Sequence, residues 1–208
     1  MRPSLVVLHY TGMATCAEAK DRLCDSAAEV SAHWLISETG EAQALVAEYR
    51  RAWHAGAGEW AGISDVNSHS IGIELANPGA QPFSERQMAA LETLLTGVME
   101  RWMILPHRVI AHSDMAPLRK VDPGTRFDWR RLALQGLSVW PVTQHADPEE
   151  FIPSLRAFGY PPVGEDALLT AFRLRFRPWA KGPLDKTDAG MAADLARRFP
   201  VDGHHPLA

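Results

Sequence analysis

Val109-Ile110-Ala111-His112-Ser113-Asp114, with Arg119-Lys120-Val121-Asp122-Pro123-Gly124 close behind, is where the fold of this chain first becomes legible. A short apolar run that follows Pro106 and stops at a histidine predicts a buried strand over 109–112. Leu5-Val6-Val7-Leu8 has the same form, and His9 stands at its end. Two strands that each deliver an imidazole at the C-terminal end, with Asp122 ten positions after His112, bring together two ring nitrogens and a carboxylate. An open zinc site needs about three such ligands and keeps one position for water, whose pKa it lowers. The competing reading makes both residues strand-end histidines satisfied by backbone groups. With nine histidines in the chain, the triple alone does not exclude it.

Outward from these two strands, sheet and helix patterns alternate. His9-Tyr10-Thr11-Gly12 reads as the turn leaving the first strand, and a helix is expected over about 15–25. A strand follows at Val30 to Ile36, then a tight turn at Glu38-Thr39-Gly40 and a hairpin return from Ala42 to Val46. Trp53-His54-Ala55-Gly56 opens a long glycine-rich loop reaching to about residue 69, and loops of that length tend to be functional. Ile71 to Ala76 is the next strand. Ser84 and Gln87 have capping-box spacing, and Met88, Leu91, Leu95, Val98 and Trp102 follow at helical steps. The expectation is an α/β fold, a mixed central sheet flanked by helices, in a domain spanning 1–140. Residues 141–149 read as a linker. Three short helical patterns over 150–200 read as a small three-helix module that packs on the first domain, being marginal alone, and 201–208 as a tail.

Composition removes several classes of function. A net charge of −4 argues against nucleic acid, whose phosphates call for clustered Lys and Arg. No apolar run is long enough to span a membrane. The apolar start at Leu5 to Leu8 is too short for a signal-peptide core, which favours a cytoplasmic setting, or a periplasmic or outer-membrane-attached one had a leader been removed. Cys16 and Cys24 lie two helical turns apart, ~12 Å by helical rise, too far for a disulfide, and are expected as buried free thiols. A serine hydrolase has no GxSxG to rest on, and ordinary zincin chemistry has no HExxH.

Glu74 is the acid that composition does not explain. A carboxylate inside an apolar strand is costly unless it is paired or faces a cavity. One reading is an ion pair with an arginine; the other is a general base that moves a proton from water to a leaving amine. Lys120, two positions before Asp122, falls on the same side of an extended segment and could hold an oxyanion, or could be an ordinary solvated lysine. Trp53 and His54 on the long loop, with Asn67 and Arg119, are the candidate substrate contacts. His33 reads as a satisfied core histidine, and His69, His107, His145, His204 and His205 receive no role. Phe151, Phe172 and Phe176 are expected in a core, and Arg173, Arg175 and Arg177 on a solvated or domain-docking face.

His9-Tyr10-Thr11, Ser31-Ala32-His33-Trp34-Leu35-Ile36, Trp53-His54-Ala55-Gly56, Ser70-Ile71-Gly72-Ile73-Glu74, Ala111-His112-Ser113-Asp114 and Arg119-Lys120-Val121-Asp122-Pro123-Gly124 stand in this order. Together they resemble the zinc-dependent N-acetylmuramoyl-L-alanine amidases of the type-2 family, relatives of the phage lysozyme-amidases and peptidoglycan recognition proteins. The resemblance implies Zn2+ as cofactor, His9, His112 and Asp122 as its ligands, Glu74 as catalytic acid/base and Lys120 as the oxyanion-stabilising lysine. It implies cleavage of the amide between N-acetylmuramic acid, or its 1,6-anhydro form, and L-alanine, with peptidoglycan fragments as partners and a monomeric chain. Aspartate as third ligand, where phage members carry cysteine, places the chain with the bacterial enzymes. Leu155 to Tyr160 and Ala171 to Pro178 are similar to the helical peptidoglycan-binding module carried by some of these amidases. The alternative is a recognition protein that binds muropeptides without cleaving them; loss of a ligand would mark it, and none is lost.

Overall fold

The first strand, β1 (Leu5–Tyr10), sits inside the sheet, and its alternation organises the molecule in this computed structural model, which describes residues 1–201. The histidines at 204 and 205 lie outside the described residues. Five strands run in the order β3-β2-β4-β1-β5, where β2 is Trp34–Ile36, β3 Ala42–Ala44, β4 Ser70–Leu75 and β5 Val109–Ala111. All neighbours are parallel except the β2–β3 hairpin at the edge, so the sheet is mixed. β1 continues past its apolar run because it pairs with β4 to the end, bringing His9 opposite Glu74. His9 therefore belongs to the strand and not to the turn after it. The other strands open and close within a few residues of expectation; residues 30–33 stay outside β2.

Side chains alternate across the sheet. Val6, Leu8, Ile71 and Ile73 face the long helix α3 (Glu85–Trp102) through Met88, Leu91, Leu95 and Val98, joined by Trp129 and Leu132 of α5 (Trp129–Leu134). α3 starts where Ser84 Oγ accepts the Gln87 N–H at 3.1 Å. Only that half of the expected capping box forms. The Gln87 side chain instead donates to the carbonyls of Ile36 and Ala76, both at 3.0 Å, tying down the ends of β2 and β4.

Leu5, Val7 and Ile110 point to the other face and share a core with α6 (Phe151–Phe158), α7 (Glu165–Phe176) and α8 (Lys186–Arg198). Phe151, Phe172 and Phe176 are all buried in it. Residues 141–148 are held against α8: Val142 N–H donates to Asp194 Oδ2 at 2.9 Å, and the Gln144 carbonyl lies where any side chain at Gly190 would clash. Arg173 and Arg175 are buried, not solvated, because Asp188 and Asp114 draw their guanidiniums inward. Both cysteines are free, but Cys16 is half-buried and Cys24 exposed, since α1 (Cys16–Cys24) buries only Ala19. No helix among the described residues is long and apolar enough to cross a membrane.

Candidate metal centre

β4, β1 and β5 are adjacent, and their C-terminal ends deliver Glu74, His9 and His112 side by side. Ligand sites of open parallel sheets form at that edge. His112 itself begins a one-turn helix, α4 (His112–Met115), and not the end of β5. Ser113 N–H donates to the Asp122 carbonyl at 3.0 Å, drawing the following loop back over the sheet edge. As a result His9 Nδ1, His112 Nδ1 and Asp122 Oδ2 converge, with separations of 2.9 Å between the nitrogens and 3.0 and 2.9 Å from them to the oxygen. All three residues are buried.

Which nitrogens carry protons follows from their other partners. Ser70 Oγ donates to the Val66 carbonyl at 2.6 Å, so it can only accept from His54 Nε2, 3.3 Å away. His54 Nδ1 is then bare and accepts from His9 Nε2 at 3.1 Å. That leaves His9 Nδ1 with an inward lone pair. His112 Nε2 donates to the Ala55 carbonyl at 2.9 Å, so its Nδ1 is bare as well. Two lone pairs and a carboxylate oxygen within about hydrogen-bond distance repel one another unless a cation sits among them. A second proton on His9 is opposed by burial first and by His112 next, which push its pKa down to about 4. Two imidazole nitrogens, oriented from behind, and a carboxylate oxygen fit a divalent metal such as zinc.

The remaining residues surround a cleft of about 460 Å³ that includes His9, Glu74, His112, Lys120 and Asp122 in its walls. Glu74 Oε2 is buried without a hydrogen-bond partner. Burial, and then the charge of Asp122, raise the Glu74 pKa from 4.5 to about 8. No arginine among the described residues pairs with it, so the ion-pair reading fails there. Trp53 stands 57% exposed at the rim, with the Arg51 guanidinium 4.4 Å over its ring. His54 borders the cleft, yet both its nitrogens are engaged behind His9. Arg119 also lines the cleft, while its guanidinium donates to the carbonyls of Ala55 and Ala57. Asn67 is not a cleft residue: it is buried, and its Oδ1 accepts the N–H groups of His54 and Ala55 at 3.0 and 2.9 Å, fixing the loop that backs the site. His33 is the core histidine expected, with Nε2 2.9 Å from the Arg50 carbonyl and Nδ1 accepting Gly72 N–H at 2.9 Å. The supporting roles of His54 and Ser70 carried no sequence signal beyond their place in the Trp53–Gly56 and Ser70–Glu74 blocks, and that of Asn67, outside both blocks, carried none.

Residues 1–125 match the model of a family described as N-acetylmuramoyl-L-alanine amidase. The N-acetylmuramoyl-L-alanine amidase AmiD of Escherichia coli is 32% identical over 97% of this chain and 85% of its own. Its structure, solved with the substrate anhydro-N-acetylmuramic acid-L-Ala-D-gamma-Glu-L-Lys, superposes with a TM-score of 0.89 over 97% of this chain and 91% of that one. AmpDh3 of Pseudomonas aeruginosa, solved with an anhydromuramic pentapeptide, superposes with a TM-score of 0.87 at 29% identity, over 96% of this chain and 93% of that one. The 1,6-anhydro-N-acetylmuramyl-L-alanine amidase AmpD of Haemophilus influenzae is 41% identical, over 49% of this chain and 56% of its own.

Proposed function

Because this chain belongs to the N-acetylmuramoyl-L-alanine amidase family, we propose that it hydrolyses the amide bond between N-acetylmuramic acid, or its 1,6-anhydro form, and the L-alanine of a peptidoglycan stem peptide. The observation that carries the reading is the convergence of three acceptor atoms from His9, His112 and Asp122 beside the buried, unpartnered Oε2 of Glu74. His9, His112 and Asp122 would hold Zn2+. When bound, the ion supplies Lewis acidity, polarising the scissile carbonyl and easing loss of a proton from water.

The chain's own groups supply the rest. Glu74 takes a proton from the attacking water and returns it to the departing amine of L-alanine, so that the leaving group departs neutral. Its high pKa suits both halves of that exchange, because a group titrating near the working pH can accept and donate. Lys120 places an ammonium in the same cleft for the oxyanion of the tetrahedral intermediate. The exposed face of Trp53 offers a platform for the sugar ring or the stem peptide. Incubation with anhydro-N-acetylmuramic acid-L-Ala-D-gamma-Glu-L-Lys should release a peptide with a free L-alanine amino terminus, detectable by mass spectrometry. Binding of this ligand with no release at any zinc concentration would reject the hydrolase in favour of a recognition protein.

A further inference from the structure

One buried ion pair lies outside the cleft yet touches α4, which carries the proposed ligand His112 and holds the loop that carries Asp122. Asp114, in α4, is 0% exposed and Arg175, in α7, 1%. Arg175 Nη1 donates to Asp114 Oδ2 at 2.5 Å, while Nη2 donates to the Val109 carbonyl at 3.0 Å and meets Ser138 Oγ at 3.2 Å. The hydroxyl of Tyr160, just after α6, donates to the other carboxylate oxygen at 2.6 Å. Asp114 Oδ2 in turn accepts the backbone N–H of Ala111 at 2.9 Å, immediately before His112. On the far side of α4, Ser113 N–H holds the Asp122 carbonyl. Arg175 of α7 and Tyr160 just after α6 thus grip the one-turn helix from which His112 projects and to which Asp122 is tied.

Adhesion between the two parts does not call for this arrangement. A continuous apolar core already joins the C-terminal helices to the sheet, and well-packed apolar side chains hold buried surfaces together at least as well as an ion pair does. What a planar guanidinium and a hydroxyl add is direction, since each carboxylate oxygen is fixed by its own donor. The guanidinium is itself fixed in plane, 4.3 Å over the Trp129 ring, and leaves its Nε without a partner in order to reach these acceptors.

We propose that Arg175 and Tyr160 are positioning residues for the metal centre. Acting through Asp114, they set the orientation of α4, and with it His112 and Asp122, so that ligand geometry depends on the C-terminal helices. The proposal rests on the zinc reading above. It is tested on the full chain by measuring zinc affinity through competition with a chromogenic chelator, at a temperature where near-ultraviolet circular dichroism reports a folded protein. Partners behind metal ligands typically change affinity about 10- to 100-fold. Tyr160→Phe and Arg175→Met should each bind zinc about tenfold more weakly, with kcat lowered and KM unchanged. Arg175→Lys should recover part of the affinity, since an ammonium reaches Asp114 but cannot also hold Val109. A lower melting temperature with wild-type zinc affinity in these variants would overturn the proposal and leave the zinc reading intact. A wild-type chain that retains no more zinc than Asp122→Ala would remove both. Should Arg175→Met fail to fold, Tyr160→Phe, which deletes one hydroxyl, decides alone.

Discussion

Glu74 and Gly72 lie two residues apart on the same face of β4 and have opposite requirements. Glu74 needs empty space for a proton carrier. Gly72 has no side chain because a Cβ there would come within 2.3 Å of the His54 ring. Gly72→Ala should therefore push His54 off His9, cost about 1–3 kcal/mol in urea unfolding, and weaken zinc retention. Glu74→Gln should keep fold and zinc but lose most of kcat; near-wild-type release of L-alanine peptides would remove its proton-shuttle role. The same variant carries a pH signature in chelator-treated protein. Folded Glu74 keeps a proton up to about pH 8, whereas its ordinary value is 4.5. Its stabilising contribution is thus complete below about pH 4.5 and is lost as pH rises through 8, on the order of a few kcal/mol. Wild-type protein should lose stability over that window, and Glu74→Gln should lose correspondingly less. His9, His112, Asp122 and Glu74 were readable from sequence because each is a polar residue at an apolar strand or motif end. The tautomer chain through His54 and Ser70 was not, since it depends on which nitrogen faces which oxygen.

Among elements, the apolar periodicity of α3 and the strands at 5, 71 and 109 carried over almost residue for residue, since each buries a continuous face. Short elements were harder to read. α4 has one turn and no apolar repeat, so its first residue, His112, looked like the last residue of a strand. The segment 141–148 is rich in proline and polar residues, yet it lies along α8 because Asp194 and Gly190 receive it. Gln87 had the spacing of a cap, but its amide found two strand-end carbonyls instead. Gln87→Ala would leave both carbonyls without that donor and should destabilise the fold by about 2–3 kcal/mol. Equal urea midpoints for variant and wild type would show that water replaces the amide there.

At the scale of the whole molecule, the C-terminal helices cover Leu5, Val7 and Ile110, which sequence alone could not assign to one face or the other. A chain ending at Trp140 exposes that face and loses the grip on Asp114; it should be aggregation-prone and lack a cooperative melting transition. Cooperative melting of the truncated chain near the wild-type temperature would contradict the shared core. The mixed α/β sheet was legible as a class because strands alternate with helices, and membership in the amidase family bears out the enzyme over the recognition protein. The metal remains the central claim, and zinc titration of the chelator-treated chain tests it most directly. Release of L-Ala-D-gamma-Glu-L-Lys from the anhydro-muramyl substrate should be absent without zinc, return in full at one equivalent per chain, and not return in Asp122→Ala. Undiminished release from a chain stripped of zinc, or restoration of Asp122→Ala by stoichiometric zinc, would contradict it.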